Sequence, residues 1–167
     1  MKTAILTISD KAHAGEREDV SGALLADLLQ SSGAEIVFRA IAPDEPAGIE
    51  RALIHLADDL AVDLILTTGG TGFTPRDHTP EATRAVIERE APGLAELVRM
   101  EGYRRTPLAA LSRGVAGLRG RTLIINLPGS PRAVREGMEI LAPLLPHAVQ
   151  MAQGEDTEHR EGRYHEA

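Results

Sequence analysis

Short apolar runs alternate along the chain with longer segments whose apolar residues recur every three or four positions. Ala4–Ile8, Ile36–Ile41, Val62–Leu66 and Thr122–Ile125 are brief runs dominated by Ile, Leu and Val, bounded by polar or turn residues, and read as strands. Residues 20–31, Val-Ser-Gly-Ala-Leu-Leu-Ala-Asp-Leu-Leu-Gln-Ser, have helical spacing and stop before Gly33, a residue suited to a helix C-terminus. Over Ile49–Leu60 the apolar residues Ile49, Leu53, Ile54, Leu56, Ala57 and Leu60 form one helical stripe. A further helix opens at Thr79 with Thr as N-cap and Pro80 behind it, and another runs from Pro131 to about Gln150. Strands alternating with helices predict βαβ units, hence an α/β fold with a mostly parallel sheet and helices on both faces. Residues 154–167 lose all apolar periodicity and are expected to form a mobile polar tail on a single domain.

Composition narrows the function. The chain has 25 acids against 18 bases, a formal net charge of −7, which argues against a general nucleic-acid binder because phosphate neutralisation needs a basic surface. Its only aromatics, Phe38, Phe73, Tyr103 and Tyr164, leave almost nothing for bases to stack on. With no cysteine, disulfides, thiolate nucleophiles, iron–sulfur clusters and Cys-based zinc sites are all excluded. The apolar run at the start is too short for a secretion signal, and no stretch approaches the ~18 apolar residues of a membrane span. The expectation is a cytoplasmic protein that meets neither membrane nor nucleic acid.

Two strand-to-helix loops carry candidate chemistry. In the first, a strand runs into Gly69-Gly70-Thr71-Gly72, followed by a helix start at Thr79-Pro80-Glu81. Beyond the carboxyl end of a parallel strand, such a loop is either a phosphate cradle or merely a tight turn. It lacks both the Gly-Lys-Ser/Thr of a P-loop and the third spaced glycine of a dinucleotide fingerprint. In the second, Asn126-Leu-Pro-Gly-Ser-Pro-Arg132, Ser130 is an N-cap and Pro131 opens the helix. Arg132 then opposes the helix dipole unless an anion intervenes. Residues 102–135 hold Arg104, Arg105, Arg113, Arg119, Arg121, Arg132 and Arg135 without one Asp or Glu, which suggests a bound polyanion or a basic subunit interface. Asp44 and Asp77 fall at the same sheet edge, where each is either a helix cap or, beside phosphates, a ligand of Mg²⁺. Asp10 and Asp19 are further candidates for that role. The histidines form no His-x-x-x-His pair, so zinc is not expected.

The run Thr67-Thr-Gly-Gly-Thr-Gly-Phe-Thr-Pro-Arg-Asp-His-Thr-Pro-Glu-Ala-Thr83 resembles the signature of the MogA/MoaB family of molybdenum-cofactor biosynthesis proteins. Ser9-Asp10, Pro43-Asp44-Glu45, Leu111-Ser-Arg-Gly114 and Asn126-Leu-Pro-Gly-Ser-Pro131 match it in the family's order, over residues 1 to about 153. The resemblance implies a doubly wound α/β fold, trimeric or sometimes hexameric, that transfers AMP from Mg·ATP to the terminal phosphate of molybdopterin and releases pyrophosphate. By motif position it implies that Asp44 and Asp77 are the essential carboxylates and metal ligands. Gly69, Gly70, Thr71 and Gly72 would then hold the nucleotide, and Ser112, Arg113, Pro128, Gly129 and Ser130 the pterin or its phosphate. Gly102 stands where some members have Ser, in a stretch implicated in pterin binding. The alternative is a silent pterin- or nucleotide-binding partner of a molybdenum-insertion protein. The chemistry fits the enzyme: a phosphate monoester is already anionic at neutral pH and needs no general base, only positioning and charge neutralisation.

Overall fold

Four parallel strands form the centre of the computed structural model, which describes residues 1–154. β1 (Lys2–Ile8) lies between β2 (Glu35–Ala42) and β3 (Leu64–Thr68), and β6 (Thr122–Leu127) pairs with β3 on the far side. The interior strands carry two interleaved apolar sets, because successive side chains point to opposite faces. Ile5, Leu64, Leu66, Leu123, Ile125 and Leu127 look one way, while Ala4, Leu6, Ile8, Ile65 and Ile124 look the other. The first set packs against α2 (Val20–Ser31), α5 (Pro92–Arg105), α6 (Pro131–Leu141) and α7 (Leu145–Gln153). The second packs against α3 (Pro46–Ile54), its π-helical continuation His55–Asp59, and α4 (Thr79–Val86). Double burial explains why these strands read as continuous apolar runs.

The full order is β2-β1-β3-β6-β5-β4, with β5 (Ala116–Arg119) and β4 (Arg89–Glu90) added antiparallel beyond β6. A one-turn helix, α1 (Asp10–His13), follows β1, and a 3₁₀ turn covers Pro107–Leu111. Buried Asn126 fixes the antiparallel edge to the parallel core. Its Nδ2 donates to the Thr67 and Thr83 hydroxyls at 3.0 and 2.9 Å, and its Oδ1 accepts the Val115 amide at 3.2 Å. The expected fold therefore holds, with local differences. The helix expected from Pro131 to about Gln150 breaks around Pro143, whose ring cannot continue the ladder, and restarts at Leu145. At α4 the N-cap is His78, not Thr79, because the Thr79 hydroxyl turns inward and donates to the Gly69 carbonyl at 3.0 Å. The expected tail at 154–167 lies, beyond Gly154, outside the described residues. No described helix is long and apolar enough to cross a membrane.

Candidate functional site

Chain direction reverses about β1, since β2 lies to one side of it and β3 to the other, and the loops after all four parallel strands converge there. The glycine loop after β3 is shaped by close packing. Gly69 has φ 103° and Gly70 φ 61°, a left-handed backbone that favours glycine. A Cβ on Gly69 would overlap the Ile8 carbonyl, and one on Gly70 would overlap the Thr79 hydroxyl and stand 3.0 Å from Asp44 Oδ1. The Gly69 amide donates to Leu127 O at 3.2 Å, but the amides of Gly70, Thr71 and Gly72 donate to no acceptor among the described residues. Free amides in a concave turn form an anion-binding nest. The second loop is built as its sequence indicates: the Ser130 hydroxyl caps α6 by accepting the Ala133 amide at 3.2 Å. Hydrogen bonds from Thr68 to Pro128 O (2.8 Å) and from Ser21 to Gly129 O (2.7 Å) hold it against the first loop.

Asp44 and Asp77 come from different loops and line one cavity of about 620 Å³ together with Gly69, Gly70, Gly129 and Ser130. Neither carboxylate caps a helix. Asp44 Oδ2 accepts the Asp10 amide and Asp10 Oδ1 accepts the Asp44 amide, both at 2.9 Å, a reciprocal clasp between the loops after β1 and β2. Asp77 Oδ2 accepts the Thr74 amide at 2.8 Å and closes a turn in its own loop. Each carboxylate keeps one oxygen without a donor among the described residues. Burial pushes the Asp44 carboxyl above its ordinary value and the neighbouring Asp10 and Asp77 charges add to this, although the Asp10 amide opposes it. A buried carboxylate held close to other carboxylates suits a divalent cation. Two carboxylates with substrate phosphates completing the shell match the needs of Mg²⁺, and no all-protein cage of three or more such ligands occurs among the described residues.

The other two candidate carboxylates are occupied by partners within the chain, although Asp19 also lines the cavity of Asp44 and Asp77. Asp10 pairs with Arg76 and Asp44, and Asp19 caps α2 through the Gly22 amide at 2.8 Å while binding Arg39 and the Thr7 hydroxyl, both at 3.0 Å. A second cavity, of about 520 Å³, adjoins the first and shares Gly70, Asp77, Gly129 and Ser130 with it. It is lined by Thr71, Gly72, Ser112 and Pro128, and by Val98, Leu108, Leu111 and Ile140, so it is the more apolar of the two. Gly102 also borders it, where a Cβ would approach Ala109 Cβ to 2.9 Å.

Arg113 lines neither of these cavities. Its Nε donates to Gly72 O at 2.7 Å, Nη2 to Asp77 O at 2.6 Å, Nη1 pairs with Glu81, and its amide donates to Thr71 O at 2.8 Å, so it laces the glycine loop from outside. Five of the seven arginines in the arginine-rich segment are paired within the chain, and Arg132 also lines the second cavity beside Ser130. Arg104, Arg105, Arg113, Arg119 and Arg132 pair with Glu101, Glu139, Glu81, Asp58 and Glu136, all supplied from outside residues 102–135. The one cation lining the carboxylate cavity among the described residues is Arg17, in the loop before α2, which sequence reasoning passed over because it sits between Glu16 and Glu18.

A doubly wound sheet bearing two glycine-containing loops and paired carboxylates at its switch point has direct counterparts. The chain belongs to the family described as a probable molybdopterin binding domain, whose profile matches residues 4–147. Over 153 residues it is 42% identical to a molybdopterin adenylyltransferase of Helicobacter pylori, covering 90% of this chain and 86% of that protein. It is 46% identical over 148 residues to the molybdenum cofactor synthesis protein cinnamon of Drosophila melanogaster, covering 88% of this chain but spanning only a quarter (25%) of cinnamon. Among solved structures, the molybdopterin biosynthesis enzyme MoaB of Thermus thermophilus superposes with a TM-score of 0.88 at 52% identity, over 92% of this chain and 97% of that one.

Proposed function

We propose that this chain is a molybdopterin adenylyltransferase, moving AMP from ATP to the terminal phosphate of molybdopterin. The observation that carries the reading is the convergence of Asp44, Asp77 and the start of the glycine loop, Gly69 and Gly70, on one cavity that adjoins a more apolar one lined by Thr71 and Gly72. The relatives' names support it. The polar cavity takes the ATP phosphates at Gly69 and Gly70, with Arg17 on its wall, and Thr71 and Gly72 continue the glycine loop into the adjoining cavity. The apolar cavity takes the pterin, with Ser112 and Pro128 at its wall, and Gly129 and Ser130 hold the phosphate at the junction. Arg113 serves by fixing the glycine loop. A monoester oxygen of molybdopterin attacks the α-phosphorus, a new P–O bond forms, the bond to the β-phosphate oxygen breaks, and pyrophosphate leaves with the electron pair. No proton need move. Asp44 and Asp77 would hold Mg²⁺, which when bound supplies neutralisation of phosphate charge. The chain's own part is to align two polyanions in a fixed cradle.

The working unit we propose is a cytoplasmic homotrimer, with a hexamer as its multiple, that passes product to a molybdenum-insertion protein. Residues 1–153 carry the activity. Incubating the protein with molybdopterin and Mg·ATP should yield adenylylated molybdopterin and pyrophosphate in equal amounts. Molybdopterin binding without product would instead favour a silent binding partner, and sedimentation as a stable 18 kDa species at micromolar concentration would refute the trimer.

A further inference from the structure

The loop that carries Asp77 is tied on its outer side by Arg113, but its inner side is tied by a residue with no role so far. Arg76 reaches from this loop across to the loops after β1 and β2. Its Nε and Nη2 fork onto Asp10 Oδ2 and Oδ1, both at 3.0 Å, and both terminal nitrogens lie 3.3 Å from Glu45 Oε1. Asp10 is itself clasped to Asp44 through the two reciprocal amide bonds. On the other side, the Asp77 amide donates to Thr74 O at 3.0 Å while Thr74 donates back to Asp77 Oδ2, so Arg76 and Asp77 sit in one closed turn. A continuous series of direct contacts therefore runs from Asp77 through Arg76 and Asp10 to Asp44.

We propose that Arg76 is a positioning residue: it latches the glycine-loop segment to the loops after β1 and β2 and so sets Asp77 opposite Asp44 before any ligand arrives. The need for such a latch is electrostatic. Asp10, Asp44, Glu45 and Asp77 gather at one sheet edge, and their mutual repulsion drives the loops apart unless a cation sits among them. Arginine meets the geometry as well as the charge, since its planar fork grips the Asp10 carboxylate at two points and leaves a nitrogen edge for Glu45. The latch contributes little to global stability, because Arg76 is 53% exposed and its partners 43% and 60%. Its effect is local, and that separates a positioning role from a structural one.

This inference rests on the adenylyltransferase reading for its kinetic readout, and the experiment keeps the two apart. Hydrogen exchange is followed by mass spectrometry over residues 71–78 in protein free of nucleotide and metal, for wild type, Arg76→Ala, Arg76→Lys, Glu45→Gln and the Arg76→Ala/Glu45→Gln pair. Arg76→Ala should exchange at least about tenfold faster in this segment while its melting temperature falls by no more than about 4 °C. Its kcat for adenylylation should drop about 10- to 100-fold with the KM for molybdopterin unchanged. Arg76→Lys should recover only part of either loss, and Glu45→Gln should speed exchange when Arg76 is present but slow it once Arg76 is gone, because it then removes only a repelling charge. Unchanged exchange in Arg76→Ala, full rescue by Lys, or a melting temperature lowered by more than about 8 °C would each overturn the latch. An inactive wild type would refute the activity alone, and the exchange data would still decide for or against the latch.

Discussion

Replacing Gly70 with Ala adds one methyl group at the point where the glycine loop, α4 and Asp44 meet. Two costs add. The backbone there has φ 61°, which a residue with a Cβ adopts at a cost of about 1 kcal/mol. The new methyl also overlaps the buried Thr79 hydroxyl, which must rotate or withdraw and so gives up its 3.0 Å bond to Gly69 O. Losing one buried hydrogen bond and leaving its acceptor unpaired costs about 1–3 kcal/mol. The sum is about 2–4 kcal/mol, and at ~2–4 °C per kcal/mol for a chain of this size the melting temperature should fall by about 4–16 °C. Because the same methyl stands 3.0 Å from Asp44 Oδ1, the carboxylate must shift too, and a displacement of even about 1 Å is worth roughly a hundredfold in turnover. Gly93→Ala is the control: a Cβ there meets nothing within 4 Å, and it should leave melting and turnover unchanged or raise stability by up to about 1 kcal/mol. Thermal melts followed by circular dichroism, with the adenylylation assay alongside, decide the matter. If Gly70→Ala melts with Gly93→Ala and turns over normally, the packing of Gly70 against Thr79 and Asp44 does not constrain the site.

Asp77→Asn should fold normally, because its amide oxygen can still accept the Thr74 amide, and it should bind molybdopterin; yet it should lose about a hundredfold or more in adenylylation for want of the charge. Normal turnover at saturating Mg·ATP would remove Asp77 from the chemistry. Asp44 has its folded-state value raised, so its protonated form favours the fold. Stability is fully present below the ordinary Asp range and lost as pH rises through the raised value. Asp44→Asn should therefore melt higher than wild type at neutral pH while losing activity, and equal melting temperatures at pH 7 would contradict the burial penalty. Truncation after Gly154 should change neither melting temperature nor turnover, and a large loss of either would show that the polar C-terminal residues do more than their composition suggests.

Strong periodic signals were legible in the sequence. The buried strands, α2 and the Ser130-Pro131 start of α6 follow from apolar runs and cap chemistry that local sequence determines. Helix α5 was not, because it buries only Ala95 and Gly102 and so carries no apolar stripe. Strand β4 spans two exposed residues, Arg89 and Glu90, and β5 holds a glycine and an arginine, so the antiparallel edge has almost no strand signature of its own. At the site, residue types identified Asp44, Asp77 and both loops as candidates, but not their relations. Whether an aspartate caps a helix or lines a cavity depends on contacts distant in sequence, as with the Asp10 amide that occupies Asp44. The pairing of five of the seven arginines could not be read from their segment for the same reason, since the carboxylates they meet lie outside it.

The meeting of the two loops has a consequence for both cavities. A Cβ on Gly129 would stand 3.1 Å from the Gly69 Cα, so main chain rests on main chain with no side chain between to swing or compress. Fastened further by Thr68 and Ser21, the pair forms a sill of main chain between the two cavities. On the adenylyltransferase reading proposed above, pterin and nucleotide would then be held in separate cavities that meet at this sill and share Asp77. Each ligand's seat would thus be shaped by the same backbone contact, so a side chain added at Gly129 should disturb both at once.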